Sequence, residues 1–216
     1  MMKIDEIKNW LKENLDEERY FHSLGVADCA KKLAEKYGLD PGKSYLTGLI
    51  HDCAKCINNQ ELYKILTEKM HCDMCEFLNP KTYHSPAGAY VAKENFGIDD
   101  KEILDAIYCH TTGKVGMSVF DKIIFLADKI EPNTREKSWS EHIWQVLEQE
   151  NGLNKALLEC YEYTIKSLVD RKLKICLTTI NIFRLPTVRE MFLKKTRIIR
   201  LHIRMMLLIP VLLQLQ

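Results

Sequence analysis

At 216 residues, with 46% hydrophobic and 28% charged residues, the chain has an ordinary globular composition and enough length for one substantial domain. Its formal net charge of +1 divides unevenly: residues 171–216 carry ten Lys and Arg against one acid, Glu190, while residues 1–170 hold 21 basic and 29 acidic groups. No run of 18 or more apolar residues occurs, and Met1–Asp16 interleaves Lys3, Asp5, Glu6, Lys8, Lys12 and Glu13 with apolar positions, so no membrane span or secretion signal is expected, and the eight cysteines are expected to be reduced cytoplasmic thiols.

Residues 3–15 place Ile4, Ile7, Trp10, Leu11 and Leu15 at helical spacing and predict a first amphipathic helix. A second runs from Glu18 through His22, Val26, Ala30, Leu33, Ala34 and Tyr37 to a stop at Gly38, with His22 on the apolar face. Asp40 and Pro41 read as the N-cap and first residue of a third helix. The stretch Leu46–Lys55 continues it, with the adjacent pair His51 and Asp52 in its middle. A short helix is expected over Glu61–Met70, followed by a loop. His84-Ser85-Pro86 opens another helix, with Ser85 as its N-cap, running to Gly97. Asp99 with Glu102 reads as a capping box for the next, where Ile103, Ala106, Ile107 and His110 share a face. Phe120–Glu131 predicts a buried helix that carries Asp128 and stops at Pro132, and residues 139–170 predict one or two more. No alternating strand pattern competes through residue 170, so the fold class is all-α.

Any one of these histidines reads as a core residue bonded to a carbonyl. The repetition argues otherwise: His22, His51, Asp52, His84, His110 and Asp128 come from five segments, and all fall on or beside apolar faces where an unsatisfied polar group costs several kcal/mol. Neighbouring helix residues point about 100° apart, so His51 and Asp52 can share one ion only if other elements bring ligands to it. Four imidazoles and two carboxylates suit transition metals, and six ligands exceed one tetrahedral ion, so two metals bridged by Asp52 are expected.

The order of these residues resembles that of the HD-domain metal phosphohydrolases. The local text, RYFHSLGV at 19–26, GLIHDCAK at 48–55, HSPAGA at 84–89, AIYCHTTG at 106–113 and FLADKIEPN at 125–133, is similar to the YqeK branch, bacterial enzymes that split diadenosine tetraphosphate into two ADP. The likeness covers residues 5–170 and implies an HD-domain helical bundle with a two-metal centre, iron first among the candidates and manganese, zinc or nickel open. It implies metal ligands at His22, His51, Asp52, His84, His110 and Asp128, a catalytic part for Asp52, and a nucleotide as partner, with a homodimer compatible. Lys55, a turn after His51, can reach a non-bridging phosphoryl oxygen. Arg19 and Arg135 suit a polyphosphate because guanidinium binds it bidentately, and Thr111 is expected to orient His110 or bond a phosphate. After Arg135, Glu-Lys-Ser-Trp139 stands where the resemblance calls for a Gly-containing loop.

Other readings remain open at this level. The same fold can act on another nucleotide, or bind metal and nucleotide without turnover. Cys53-x2-Cys56 and Cys72-x2-Cys75, fifteen residues apart, have the spacing of a four-cysteine zinc site in a nucleic-acid-binding module, although Cys53 has core spacing in its own helix. His71 is expected at the surface, and His142 has no partner identifiable in the sequence. Residues 171–216 are expected to be a basic extension, non-native as after a change of translational frame, or disordered; the alternative is a surface for anionic lipid or nucleic acid.

Overall fold

The structure, a computed structural model, describes residues 2–72 and 79–184. Among these residues every element is helical: α1 (Ile4–Asn14), α2 (Glu17–Tyr37), α3 (Pro41–Ile50), α4 (Asn59–Lys64), α5 (His84–Phe96), α6 (Lys101–Cys109), α7 (Val119–Ile130), α8 (Lys137–Leu147), α9 (Gly152–Asp170) and α10 (Leu177–Arg184). A π turn, Ile65–Lys69, extends α4, and a 3-10 turn, Pro80–Thr82, leads into α5. The chain divides into a compact unit ending at Thr179 and a second beginning at Ile180. The expectation of a non-native or disordered extension covers residues 171–216; of these, residues 171–184 are described and include α10, and the rest lie outside the described residues. No described helix is long and apolar enough to cross a membrane.

The caps explain where several helices begin and end. Asp40 accepts from the backbone N–H groups of Gly42 (2.8 Å) and Lys43 (3.0 Å) ahead of Pro41, as the sequence predicts. Gly38 and Gly97 end α2 and α5 in the left-handed region, φ 68° and 66°, where a side chain is disfavoured. The cap of α6 is Asp100 rather than the expected Asp99: its carboxylate takes the N–H groups of Glu102 and Ile103, and Asp99 is left exposed. Ser85 is not an N-cap either. It lies inside α5, and its hydroxyl donates to the carbonyl of Tyr108 (2.8 Å), which ties α5 to the end of α6.

Packing brings α2, α3, α5, α6 and α7 together. The helix-to-helix approach of α2 and α3 depends on Gly48, where an added Cβ would lie 2.8 Å from the Val26 carbonyl oxygen and 2.9 Å from Ala27 Cα. Backbone cannot yield as a flexible side-chain end can. Gly48→Ala is therefore expected to destabilise the fold by about 1–3 kcal/mol, read as a lowered denaturant midpoint at unchanged slope. Helix α7 is apolar on most sides: Ile123, Ile124, Phe125, Leu126 and Ala127 are all fully buried. It therefore sits inside the bundle, packed against α2, α3, α6, α8 and α9. Phe125 stacks on Tyr161 of α9 with ring centroids 4.8 Å apart, and Trp10 meets Phe96 edge-on at 5.0 Å to close α1 over α5.

Candidate metal centre

The helix expected to carry His51 and Asp52 in its middle ends just before them. Helix α3 stops at Ile50, His51 is its C-cap, and the chain tightens into turns with N–H to carbonyl bonds three residues back: Cys53 to Ile50, Lys55 to Asp52 and Ile57 to Ala54. The sequence concealed this because the turn is itself buried, Cys53 and Ala54 keeping the apolar spacing of the helix. His110 is likewise the C-cap of α6. Each of these imidazoles has Nδ1 2.7 Å from the carbonyl oxygen three residues back, Gly48 for His51 and Ile107 for His110. The partners assign the proton to Nδ1 in both, so both Nε2 lone pairs point inward.

His22 of α2 enters from the opposite side. Its Nδ1 lies 3.0 Å from Glu131 Oε1 and its Nε2 3.1 Å from Asp128 Oδ1. The four imidazoles form a chain, with centroid separations of 5.2 Å (His22 to His51), 4.9 Å (His51 to His110) and 5.2 Å (His110 to His84). Asp52 lies among them, its Oδ1 3.2 Å from His84 Nε2 and 3.3 Å from His110 Nε2, its Oδ2 3.7 Å from His51 Nε2. Two ligand groups result, His22-His51-Asp52 and Asp52-His84-His110, each with its ligand atoms within 4.8 Å of one another and each entirely buried. Asp128 Oδ1 stands 3.8 Å from His51 Nε2 at the edge of the first group. All six residues singled out in the sequence thus converge.

This arrangement makes physical sense around cations. His110 Nε2 and Asp52 Oδ1 both present lone pairs to each other. His51 Nε2 and Asp52 Oδ1 are buried without a hydrogen-bond partner, and leaving each unsatisfied costs about 1–3 kcal/mol. Burial holds His51 and His84 neutral, with pKa values pushed down to about 3 and about 4. Burial opposes ionisation of Asp52, but the positive charge that His51 and His84 carry when protonated outweighs it and keeps the carboxyl well below its usual range. For Asp128, Lys129 and His22 do the same. Neutral imidazole nitrogens with ionised carboxylates are the donor set of nitrogen- and oxygen-loving transition ions, so the residues present fit two metals sharing Asp52.

Glu131 is the residue that sequence reasoning missed. It is fully buried, and its Oε1 faces His22 Nδ1 while also accepting from the Thr134 N–H (3.0 Å) and hydroxyl; Oε2 accepts from the Asn133 N–H at 2.6 Å. Burial alone would raise its pKa, but these bonds outweigh it and lower it. Gly25, one turn beyond His22, makes the space: a Cβ there would lie 2.2 Å from Glu131 Oε2. An acid just before Pro132, within a motif that already carries a ligand, was the available signal.

Cationic side chains line the same centre. Arg19 Nη1 is 3.6 Å from Asp52 Oδ2. Arg135 donates through Nη2 to Asp128 Oδ1 (2.9 Å) and through Nε to the Asp128 main-chain oxygen (2.8 Å). Lys55, half-buried and lowered in pKa by that burial, has Nζ 2.9 Å from His84 Nε2. Thr111 Oγ1 lies 3.1 Å from His84 Nε2 rather than beside His110. The zinc-site cysteines do not gather among the described residues: Cys53 donates to the Gly88 carbonyl in the core, Cys56 is exposed against Asp16, and Cys75 lies outside the described residues. His71 is exposed, and His142 pairs with Glu159 at 2.6 Å.

A helical bundle whose helix ends and faces converge on paired His/Asp groups is the architecture of a metal-dependent hydrolase. The family model for the HD domain matches residues 19–133, and the chain belongs to that family. Over most of its length it is homologous to one branch, the symmetrical bis(5'-nucleosyl)-tetraphosphatases. It is 36% identical over 171 residues to the Bacillus subtilis protein of that description, covering 79% of this chain and 90% of that one. The Halalkalibacterium halodurans protein of the same description is 43% identical over 123 residues, 57% of this chain and 66% of that one. Among solved structures, a Clostridium acetobutylicum protein described as a predicted HD superfamily hydrolase involved in NAD metabolism matches with a TM-score of 0.77 and 39% identity, over 83% of this chain and 94% of that one.

Proposed function

We propose that the protein hydrolyses diadenosine tetraphosphate symmetrically to two ADP, using two transition metals, iron first, held by His22, His51, Asp52, His84, His110 and Asp128. The observation that carries the reading is the pair of buried ligand groups sharing Asp52, and the similarity to relatives of that described activity supports the substrate. Bound there, two such ions supply a hydroxide nucleophile at neutral pH and neutralise phosphoryl charge.

The chain's own residues do the rest. His51 and His110 keep Nε2 unprotonated because their Nδ1 protons are committed to carbonyls. Asp52, catalytic as the shared carboxylate, holds both ligand groups in one register. Lys55, released from His84 once that nitrogen has another partner, places its ammonium against the phosphoryl oxygen where charge develops. Arg135, tethered by the Asp128 carbonyl, and Arg19, a third exposed, bind the phosphate chain, with Thr111 at its edge. The reading carries a cytoplasmic location and a homodimer.

The test is metal content by elemental analysis beside an ADP-release assay on diadenosine tetraphosphate. Two equivalents of metal and ADP as sole product are expected. AMP with ATP would mean asymmetric cleavage, and turnover of a different nucleotide in its place would move the substrate assignment within the family.

A further inference from the structure

Asp128 has more cationic neighbours than one carboxylate needs. Oδ1 takes Arg135 Nη2 at 2.9 Å and lies 3.1 Å from His22 Nε2; Oδ2 faces Lys129 Nζ at 2.5 Å. The two long cations are held differently. Arg135 keeps a second anchor on the main-chain oxygen of Asp128, so it stays in place whatever the carboxylate binds. Lys129 has the carboxylate and the face of Phe125, with Nζ 4.9 Å from the ring centroid, and its side chain is 20% exposed. A divalent cation on Asp128 would meet Oδ1, the oxygen that faces His22 and His51, and by drawing on the charge of the carboxylate would loosen the hold of Oδ2 on Lys129, the more weakly anchored of the two cations.

We propose that Lys129 binds the phosphate chain of the substrate and is freed for it when Asp128 takes a metal ion. The assignment rests on the metal-dependent reading above and adds a residue to it. Charge in the pocket runs the same way. Asp52, Asp128 and Glu131 are set against Arg19, Lys55, Lys129 and Arg135, a near balance in the absence of metal. Cations on the carboxylates leave the basic groups without counter-ions, and a phosphate chain supplies them. Lys129 also feels the pocket it would serve, since its charge and that of Arg19 both bear on Lys55. The competing account is purely structural: a cation in the last turn of α7, favoured by the helix dipole and by Phe125.

The experiment titrates inorganic triphosphate into the full chain by calorimetry, manganese-loaded and metal-free, for wild type and Lys129→Met. Manganese binding is followed separately, without substrate. The expected result is about tenfold weaker triphosphate binding by the loaded K129M protein, little difference between the two metal-free proteins, and manganese bound at least as tightly as in wild type. Equal triphosphate affinity in the loaded proteins overturns the proposal. So does a loss of equal size without metal, or a K129M protein that unfolds at lower temperature and loses manganese with it. ADP release from diadenosine tetraphosphate is scored apart from these. Its absence beside a Lys129-dependent triphosphate affinity sinks the dinucleotide assignment and leaves Lys129 standing.

Discussion

Asp52→Asn is expected to leave a folded protein that retains less than one equivalent of metal and releases ADP at about a thousandth of the wild-type rate or below, a loss of ~4 kcal/mol of transition-state stabilisation. Asparagine keeps the volume of a residue that is 2% exposed, so the bundle has no cavity to fill. What it loses is the charge shared by both ligand groups. One neutral amide oxygen cannot offset two cations, and the amide nitrogen presents donors where only acceptors are useful. His84→Ala, which touches one group, should by contrast leave metal in the other. Elemental analysis of the two variants, with circular dichroism to confirm folding, separates a shared carboxylate from a peripheral one: equal metal loss in both would contradict the bridging role.

The second large effect is expected at a residue that touches no metal. Glu131→Gln should weaken metal binding by about 10–100-fold. With its oxygen in the place of Oε1 the glutamine can still accept from His22 Nδ1 and the Thr134 N–H, but its amide nitrogen then takes the place of Oε2 and points N–H groups at the Asn133 N–H, which now donates there. Either the loop or the imidazole must give. Gly25→Ala should act in the same direction, because its Cβ would occupy the space of the Glu131 carboxylate, and should also cost about 1–3 kcal/mol of stability through overpacking. Metal affinity by competitive chelation and unfolding of the metal-free protein are read together. If Glu131 merely braces the 131–134 loop, E131Q lowers the unfolding temperature and leaves affinity unchanged.

Much of the bundle was legible because local chemistry settles it. Asp40 before Pro41 starts a helix, Gly38 and Gly97 end one because glycine alone enters the left-handed region without cost, and these helix ends lie where the sequence places them. The convergence of the six His and Asp residues was legible because imidazoles and carboxylates on apolar faces are costly without partners. What escaped has nonlocal causes. Asp99 and Asp100 have the same capping chemistry, and only packing decides between them. Ser85 looks like a cap until the end of α6 is set beside it. Glu131 reads only as the last residue before a helix-stopping proline, since the histidine it orients lies 109 residues earlier. The end of α3 at Ile50 was hidden because the turn after it is as buried as the helix before it.

Placing His51 and His110 at helix C-caps makes length itself a constraint. Asp40 starts α3 and His51 ends it; Asp100 starts α6 and His110 ends it. A residue inserted inside either helix would turn the terminal imidazole by about 100° and carry it about 1.5 Å along the axis, out of its ligand group. The same insertion between α8 and α9, where the exposed Gln149–Asn151 turn joins helices that supply none of these ligands, would add only slack. Indel tolerance in this protein should therefore be divided by helix: none in α3 and α6, whose ends act as rulers for the centre, and latitude in the α8–α9 hairpin.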